Sequence, residues 1–283
     1  MALSVNTNVT SLAVQQNLNN AASSLSTAMT RLSSGLRINS AADDAAGLQI
    51  STRMSSQIRG MTVAIKNAND GISLAQTAGG AMSTDTDILQ RMRELAVQAR
   101  NGTNSTADQT ATNAEFAQMS DELTRIASST QLNGKYLLNG SAGVVTLQVG
   151  ANTGTANQIS LNLSGKFDAV SLSVDSGTLV LTGATSAAAA SNIDNAITAI
   201  DAAIAAIGAT QASLGASQNR LTSTISVLQN VDQNTTAAQG RIQDTDFAAE
   251  TAELTKQQTL QQAATSVLAQ ANQLPSSVLK LLQ

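Results

Sequence analysis

The sequence predicts a mainly α protein: a long antiparallel helical rod with a coiled-coil-like pair of N- and C-terminal helices and a small β region at the far end. Three observations carry this. Apolar residues recur at helical spacing over most of the chain. The period changes to alternation only between about Leu137 and Thr185. The two ends mirror each other, because the first charged side chain is Arg31 and none lies between Lys256 and Lys280.

From the N-terminus, Leu18, Leu25, Met29, Leu32 and Leu36 fall on one helical stripe. Ile50, Met54, Ile58, Met61, Ile65, Ala68, Ile72 and Ala75 form a second, longer one, continued in phase by Leu89, Met92, Ala96 and Ala99. Gly79-Gly80 predicts a break or turn there. Met119, Leu123 and Ile126 keep helical spacing after Glu115. Then Val145, Leu147 and Val149 alternate with polar residues, as do Ile159, Leu161 and Leu163, Leu172 and Val174, and Leu179 and Leu181, which predicts four short strands. Asn133-Gly134, Asn139-Gly140 and Ser176-Gly177 supply turns. Ala187 to Ala190 leads back into helix.

The clearest heptad runs through Ile193, Ile197, Ile200, Ile204, Ile207, Gln211, Leu214, Gln218, Leu221, Ile225, Leu228 and Asp232 in alternating steps of 4 and 3. Its polar members favour register over stability. A last seam passes through Leu260, Ala264, Val267, Ala271, Leu274, Val278 and Leu281. Asp244, Thr245 or Asp246 offers its N-cap, and Pro275 predicts a kink or local break.

Composition excludes much chemistry. The chain of 283 residues has no Cys, His or Trp, so Cys- or His-dependent catalysis, disulfides, and zinc, haem or iron-sulfur sites built on those residues are ruled out. Only 12% of residues are charged and the net charge is -4, which leaves no basic field for nucleic acid. No run of 18 apolar residues predicts a membrane span, and the first residues, MALSVNTNVT, do not read as a secretory signal peptide. Asp43-Asp44, Asp85-x-Asp87 and Asp244-x-Asp246 read as helix caps and solvated charge rather than as metal or catalytic pairs. No cofactor is expected. Asn-x-Ser/Thr triplets at Asn8, Asn101, Asn104, Asn139, Asn162 and Asn234 are expected by chance in so polar a chain.

A helix without charge on its outer face is normally buried all round, yet a hairpin of two helices leaves its own outside bare. Other copies of the chain can cover it. The terminal helices therefore read as parts of a polymer, and ordering them in a lone chain costs on the order of 1 to 2 kcal/mol per residue in backbone entropy. They are expected to be loose in a free monomer and helical after assembly.

Several long segments resemble bacterial flagellin. They are TRLSSGLRINSAADDAAGLQIS from Thr30 to Ser51, IKNANDGISLAQTAGGAM from Ile65 to Met82, LQRMRELAVQARNGTNS from Leu89 to Ser105, QLNGKYLLNG from Gln131 to Gly140, and the stretch from Gly240 to Gln283. Residues 141–187 resemble nothing specific, so the resemblance is to a minimal form without a large outer domain. It implies that residues 1–42 and 241–283 form an inner-tube domain, and that 43–240 form an outer rod with its β tip at about 138–186. It further implies export through the flagellar type III apparatus, a cap, hook-filament junction proteins and an export chaperone as partners, and an extracellular homopolymer that serves swimming.

On this reading the inner tube rests on Leu18, Leu25, Met29, Leu32, Leu260, Val267, Leu274 and Val278. The rod rests on Ile193, Ile197, Ile200, Ile204, Ile207, Leu214, Leu221, Ile225 and Leu228. By motif, Arg91, Leu95 and Glu115 match positions contacted by the vertebrate Toll-like receptor for flagellin, and Thr30 to Ser51 matches the peptide sensed by plants. A hook-filament junction protein shares the paired terminal helices, but LQRMRELAVQ favours flagellin proper. A surface adhesin or polysaccharide-binding module is disfavoured by the scarcity of aromatics for stacking on sugars.

Overall fold

A computed structural model describes the backbone of residues 7–281 and the side chains of residues 7–273. The protein is mainly α. Among the described residues there are five α-helices, α1 (Val9–Ser34), α2 (Ala45–Ala99), α3 (Thr106–Ser129), α4 (Ser186–Gln243) and α5 (Phe247–Leu281). Four short strands accompany them, β1 (Gln131–Leu132), β2 (Lys135–Tyr136), β3 (Gly143–Gln148) and β4 (Gln158–Leu163). The chain forms two compact units, Met1–Gln57 with Gln233–Gln283, and Ile58–Asp232. Both divisions fall further into the long helices than the boundaries at 42/43 and 240/241 read from the sequence.

In the first unit α1 begins where the Asn8 side chain accepts the Ser11 amide at 3.1 Å. It ends at Gly35, whose φ of 72° is left-handed and whose N–H closes on the Arg31 carbonyl, a cap that suits glycine. Helix α5 starts at Asp246, whose carboxylate accepts the Ala248 amide at 2.9 Å. The helix continues through Pro275 to Leu281, so the expected break at that proline is not present. Helices α1 and α5 lie antiparallel: Asn8 Nδ2 donates to the Ala271 carbonyl at 2.8 Å at one end, and Arg31 meets Glu250 at 4.0 Å at the other.

Their contact line differs from the predicted seams. On α1 it runs through Ser11, Val14, Leu18, Ala21, Leu25, Ala28 and Leu32, in which Ala21 and Ala28 are buried while Met29 is 57% exposed. On α5 it runs through Leu254, Gln257, Gln261, Ala264, Leu268 and Ala271. Leu260 and Val267, placed in the predicted seam, are 47% and 51% exposed. The physical reason is that α5 carries two neighbouring stripes that share Ala264 and Ala271, and a single partner helix covers only one of them. The covered stripe includes Gln257 and Gln261, so a purely apolar criterion selects the other. The side chains of Leu274 and Val278 lie outside the described residues.

The linkers flanking these helices pair with each other. The Arg37 amide donates to the Gln243 carbonyl at 2.7 Å, Arg37 Nη2 donates to the Ile242 carbonyl at 2.7 Å, and the Thr245 amide donates to the Gly35 carbonyl at 3.0 Å. Ile38 is buried beside this ladder. Ser51 Oγ donates to Gln243 Oε1 and accepts from Gln239 Nε2.

In the second unit the core gathers small and medium residues of α2, α3 and α4. Ile193, Ile200, Ile207, Leu214 and Leu221 of α4 are buried at intervals of seven, with Ile197, Ile204, Ile225 and Leu228 half-buried beside them. Opposite them lie Ala68, Ala75, Ala78, Met82, Leu89 and Met92 of α2 and Phe116 and Leu123 of α3. The expected break at Gly79-Gly80 does not occur. Added side chains there would meet nothing within 4 Å, so the glycines are not needed for close packing, and tertiary contacts on either side outweigh their roughly 1 kcal/mol helix penalties.

Strands β1 and β2 form a hairpin closed by Asn133 (φ 50°) and Gly134 (φ 77°), and β3 pairs with β4 antiparallel from Gly143↔Leu163 to Gln148↔Gln158. The strands expected at Leu172/Val174 and Leu179/Leu181 are turns and irregular chain instead. These four side chains are buried. However, the backbone nearby is bound by side chains of α3 rather than by a strand: Ala169 N donates to Thr124 Oγ1, Ser176 N to Ser120 Oγ, and Leu181 N to Asn113 Oδ1 at 2.7 Å. With its hydrogen bonds met this way, the segment needs no strand partner.

Asp85 is the exception in this core. It is fully buried, neither carboxylate oxygen has a hydrogen-bond partner, and desolvation pushes its pKa from 3.8 up to about 7. The folded state therefore holds the proton more tightly than the unfolded chain. The stability that this protonation gives is complete below about pH 4 and is lost as pH rises through about 7. Asp85→Asn is expected to flatten this part of the profile and to raise resistance to urea at pH 8 relative to wild type by on the order of 2 to 4 kcal/mol, with little difference near pH 4. Urea midpoints measured across that range check it.

Candidate functional surfaces

The acidic pairs resolve into local structural work. Asp43 Oδ2 accepts the Asn39 and Ser40 amides and the Ser40 hydroxyl, the Ser40 amide first among the causes that hold its pKa below the usual value. Asp44 accepts the Gly47 amide at 2.9 Å and so caps α2. Asp246 caps α5, and Asp87 is exposed on α2 while Asp85 is buried. These carboxylates serve helix ends or stand alone.

Surfaces are the larger feature. In the first unit an open apolar groove runs along the helix pair between Val14, Ala21 and Ser24 of α1 and Leu260, Ala264 and Val267 of α5. A second recess on α1 takes in Ala22, Leu25 and Met29. Val9 and Leu12 are 70% and 67% exposed nearby. Of the residues assigned to the inner tube, Leu18, Leu25 and Leu32 lie half-buried in the α1–α5 contact, while Met29, Leu260 and Val267 point away from it. Between Val9 and Thr30 there is no charge on α1, and α5 has none between Lys256 and Lys280, so these faces carry nothing that repels an apolar partner.

In the second unit Arg91 lies at the surface between two carboxylates. Its Nε and Nη2 donate to Glu115 Oε1 at 3.1 and 2.8 Å, and its Nη1 donates to Glu94 Oε2 at 3.1 Å. The bond to Glu115 is the main cause that raises the Arg91 pKa further. The pair fixes α3 against α2 on the solvent side. Leu95 is 1% exposed and belongs to the core beneath. A direct surface contact by its side chain conflicts with that burial, so its part at this surface is support from below. Arg93–Asp201 and Arg100–Asp194, at 2.8 and 2.9 Å, set the α2–α4 register from exposed positions where solvent screening leaves each pair little energy.

Sequence spacing missed three features: the polar Gln257 and Gln261 in the covered stripe, the support that Asn113, Ser120 and Thr124 give to the segment after β4, and the orphan carboxyl of Asp85. Only the last left a signal, an Asp three residues after Met82 and four before Leu89 on an otherwise apolar stripe.

Comparison with known proteins agrees with this arrangement. Residues 5–143 match the bacterial flagellin N-terminal helical region, and residues 197–282 match the bacterial flagellin C-terminal helical region. Flagellin A of Vibrio anguillarum is 38% identical and flagellin A of Vibrio cholerae serotype O1 is 39% identical, each alignment covering all of both chains. Those alignments run to 379 positions against 283 residues, so the relatives carry sequence with no counterpart in this chain. Among solved structures, a protein of Vibrio parahaemolyticus described as flagellar hook-associated has a TM-score of 0.58 at 13% identity, covering 71% of this chain and 100% of that one, a likeness of fold.

The two stripes of α5 are separable by substitution. Ala28→Asp puts an unpaired charge into the α1–α5 contact and is expected to lower the helix content that the loose terminal pair keeps in the monomer. Val267→Asp, on the open stripe, is expected to stay within about 0.5 kcal/mol of wild type. Urea unfolding of monomers followed by far-ultraviolet circular dichroism checks both.

Proposed function

The chain belongs to the bacterial flagellin family, and from that premise we propose how its residues do the family's work. It is an extracellular structural subunit that polymerises with copies of itself into the flagellar filament for swimming motility. The observation that carries the reading is the uncovered stripe of α5, with Leu260 and Val267 half-exposed on a helix face without charge beside the stretch of α1 from Val9 to Thr30, which has none either. Burying the rest of one such Leu or Val yields about 1 kcal/mol. A filament repeats that gain at every subunit.

In this reading residues 1–42 with 241–283 line the inner tube, with Leu18, Leu25, Met29, Leu32, Leu260, Val267, Leu274 and Val278 as its packing residues. The isoleucine and leucine row from Ile193 to Leu228 holds the rod. The chain works through packing and has no catalytic role. Subunits leave through the type III apparatus with an export chaperone and add beneath a cap to a filament seated on junction proteins. Arg91 and Glu115, exposed and bridged, offer a charged surface to innate immune receptors, with Leu95 supporting it from the core. What supports these partners is the family resemblance of the segments that carry them.

The test is seeded growth. Purified chain added to sheared filament fragments is expected to lengthen them into uniform tubes by electron microscopy. Deletion of residues 1–30, or Leu260→Asp combined with Val267→Asp, is expected to abolish growth, the double variant while leaving the monomer's helix content unchanged. Undiminished growth by either variant would overturn the assignment.

A further inference from the structure

The chain contains three Asn-Gly pairs, at Asn101-Gly102, Asn133-Gly134 and Asn139-Gly140, and the structure puts each in a different setting. An Asn-Gly pair is chemically special because the glycine amide nitrogen can reach the neighbouring side-chain carbonyl with no Cβ in the way. Whether it does so depends on how firmly the surroundings hold the pair out of that geometry.

Asn139 is held most firmly. Its Oδ1 accepts from both the Ser141 amide at 3.0 Å and the Ser141 hydroxyl at 2.6 Å. It pairs with Lys166 as an isolated β-bridge, and Gly140, at φ 80°, lies against the Lys166 side chain. Asn133 and Gly134 are both left-handed and close the β1–β2 hairpin, whose pairs Gln131↔Tyr136 and Leu132↔Lys135 must open before the backbone can turn.

Asn101 is different. It lies in the exposed connection between α2 and α3, one residue beyond Arg100, and its φ is not left-handed. Gly102 has open space around it, and its N–H makes no hydrogen bond. The one hydrogen bond to the Asn101 side chain is a long one, from the Thr103 amide to Oδ1 at 3.3 Å. The matching amide bond at Asn139 is shorter and is joined by the Ser141 hydroxyl, so the Asn101 side chain is the less restrained of the two.

We propose that Asn101 is a site of self-modification, deamidating through a cyclic imide formed with Gly102 ahead of the other two pairs. The Gly102 N–H gives its proton to a solvent base, and the nitrogen attacks Asn101 Cγ. The new C–N bond forms as the side-chain nitrogen takes a proton from the protonated base and leaves as ammonia. Water, the only co-reactant, then opens the imide at one of its two carbonyls, leaving aspartate or isoaspartate at position 101. No electrons are gained or lost by the protein.

The product places a carboxylate beside Arg100, whose guanidinium otherwise holds Asp194 of α4 at 2.9 Å, and just past the C-terminus of α2, where negative charge is disfavoured. In the isoaspartate form the backbone is also one atom longer, at the point where the Asn104 amide closes on the Asn101 carbonyl at 3.0 Å. A long-lived extracellular chain would thus acquire charge at one connection as it ages.

The test uses the full chain, aged as purified monomer in mildly alkaline buffer at physiological temperature. Isoaspartyl methyltransferase with a labelled methyl donor reports isoaspartate, and cleavage after glutamate separates residues 95–115, which hold Asn101, from 123–250, which hold Asn133 and Asn139. Label is expected first in 95–115, and Asn101→Gln or Gly102→Ala is expected to cut that signal by about tenfold or more. Asn133→Gln and Asn139→Gln are expected to leave it unchanged. Label appearing first in 123–250, or in 95–115 at the wild-type rate despite Asn101→Gln, would overturn the proposal. Both loop variants are checked for wild-type circular dichroism, and the unsubstituted chain alone decides the order of labelling.

Discussion

A helix paired with one partner buries one stripe, and α5 has two. That geometric limit governs the terminal unit. Helix α1 takes the stripe through Leu254, Gln257, Gln261, Ala264, Leu268 and Ala271, and the stripe with Leu260 and Val267 is left over. A monomer selected only for its own stability would place polar residues there. The chain instead keeps it apolar and withholds charge from the surrounding faces, which makes sense when neighbouring copies complete the burial.

The second unit meets a different demand. Its helices pack through residues that are small or of one repeated shape, with Ile193, Ile200, Ile207, Leu214 and Leu221 at every second turn against alanines of α2. Such a seam has many near-equivalent registers. Exposed ion pairs between Arg93 and Asp201 and between Arg100 and Asp194 contribute little energy but select one of them. Asp85 works against stability in the same core, since its carboxyl has no partner to offset desolvation.

Much of this was legible in the sequence because helical periodicity is a long signal. In the row from Ile193 to Leu228 every seventh residue from Ile193 to Leu221 is buried, with Ala196 and Ala203 beside them unnamed by it, and alternation at Val145, Leu147, Ile159, Leu161 and Leu163 located β3 and β4. Failures came where burial did not follow apolarity or where hydrogen bonds came from elsewhere. Gln257 is buried because it packs in a helix pair and bonds to Glu253, while Leu260 is left open. Leu172, Val174, Leu179 and Leu181 alternate like strands, but Asn113, Ser120 and Thr124 of α3 satisfy the nearby backbone, and no sequence period reveals a side chain 45 to 68 residues away. The burial of Leu95 likewise required the fold, since a leucine beside Glu94 reads equally as edge or core.

The central claim is that the terminal helix pair is incompletely buried in one chain and completed by its neighbours. Amide hydrogen exchange of α1 and α5, compared between monomer and filament, tests it most directly. Protection is expected to rise by several orders of magnitude along both helices on polymerisation, while the α4 row from Ile193 to Leu221 changes little. Equal protection of α1 and α5 in the two states would contradict it.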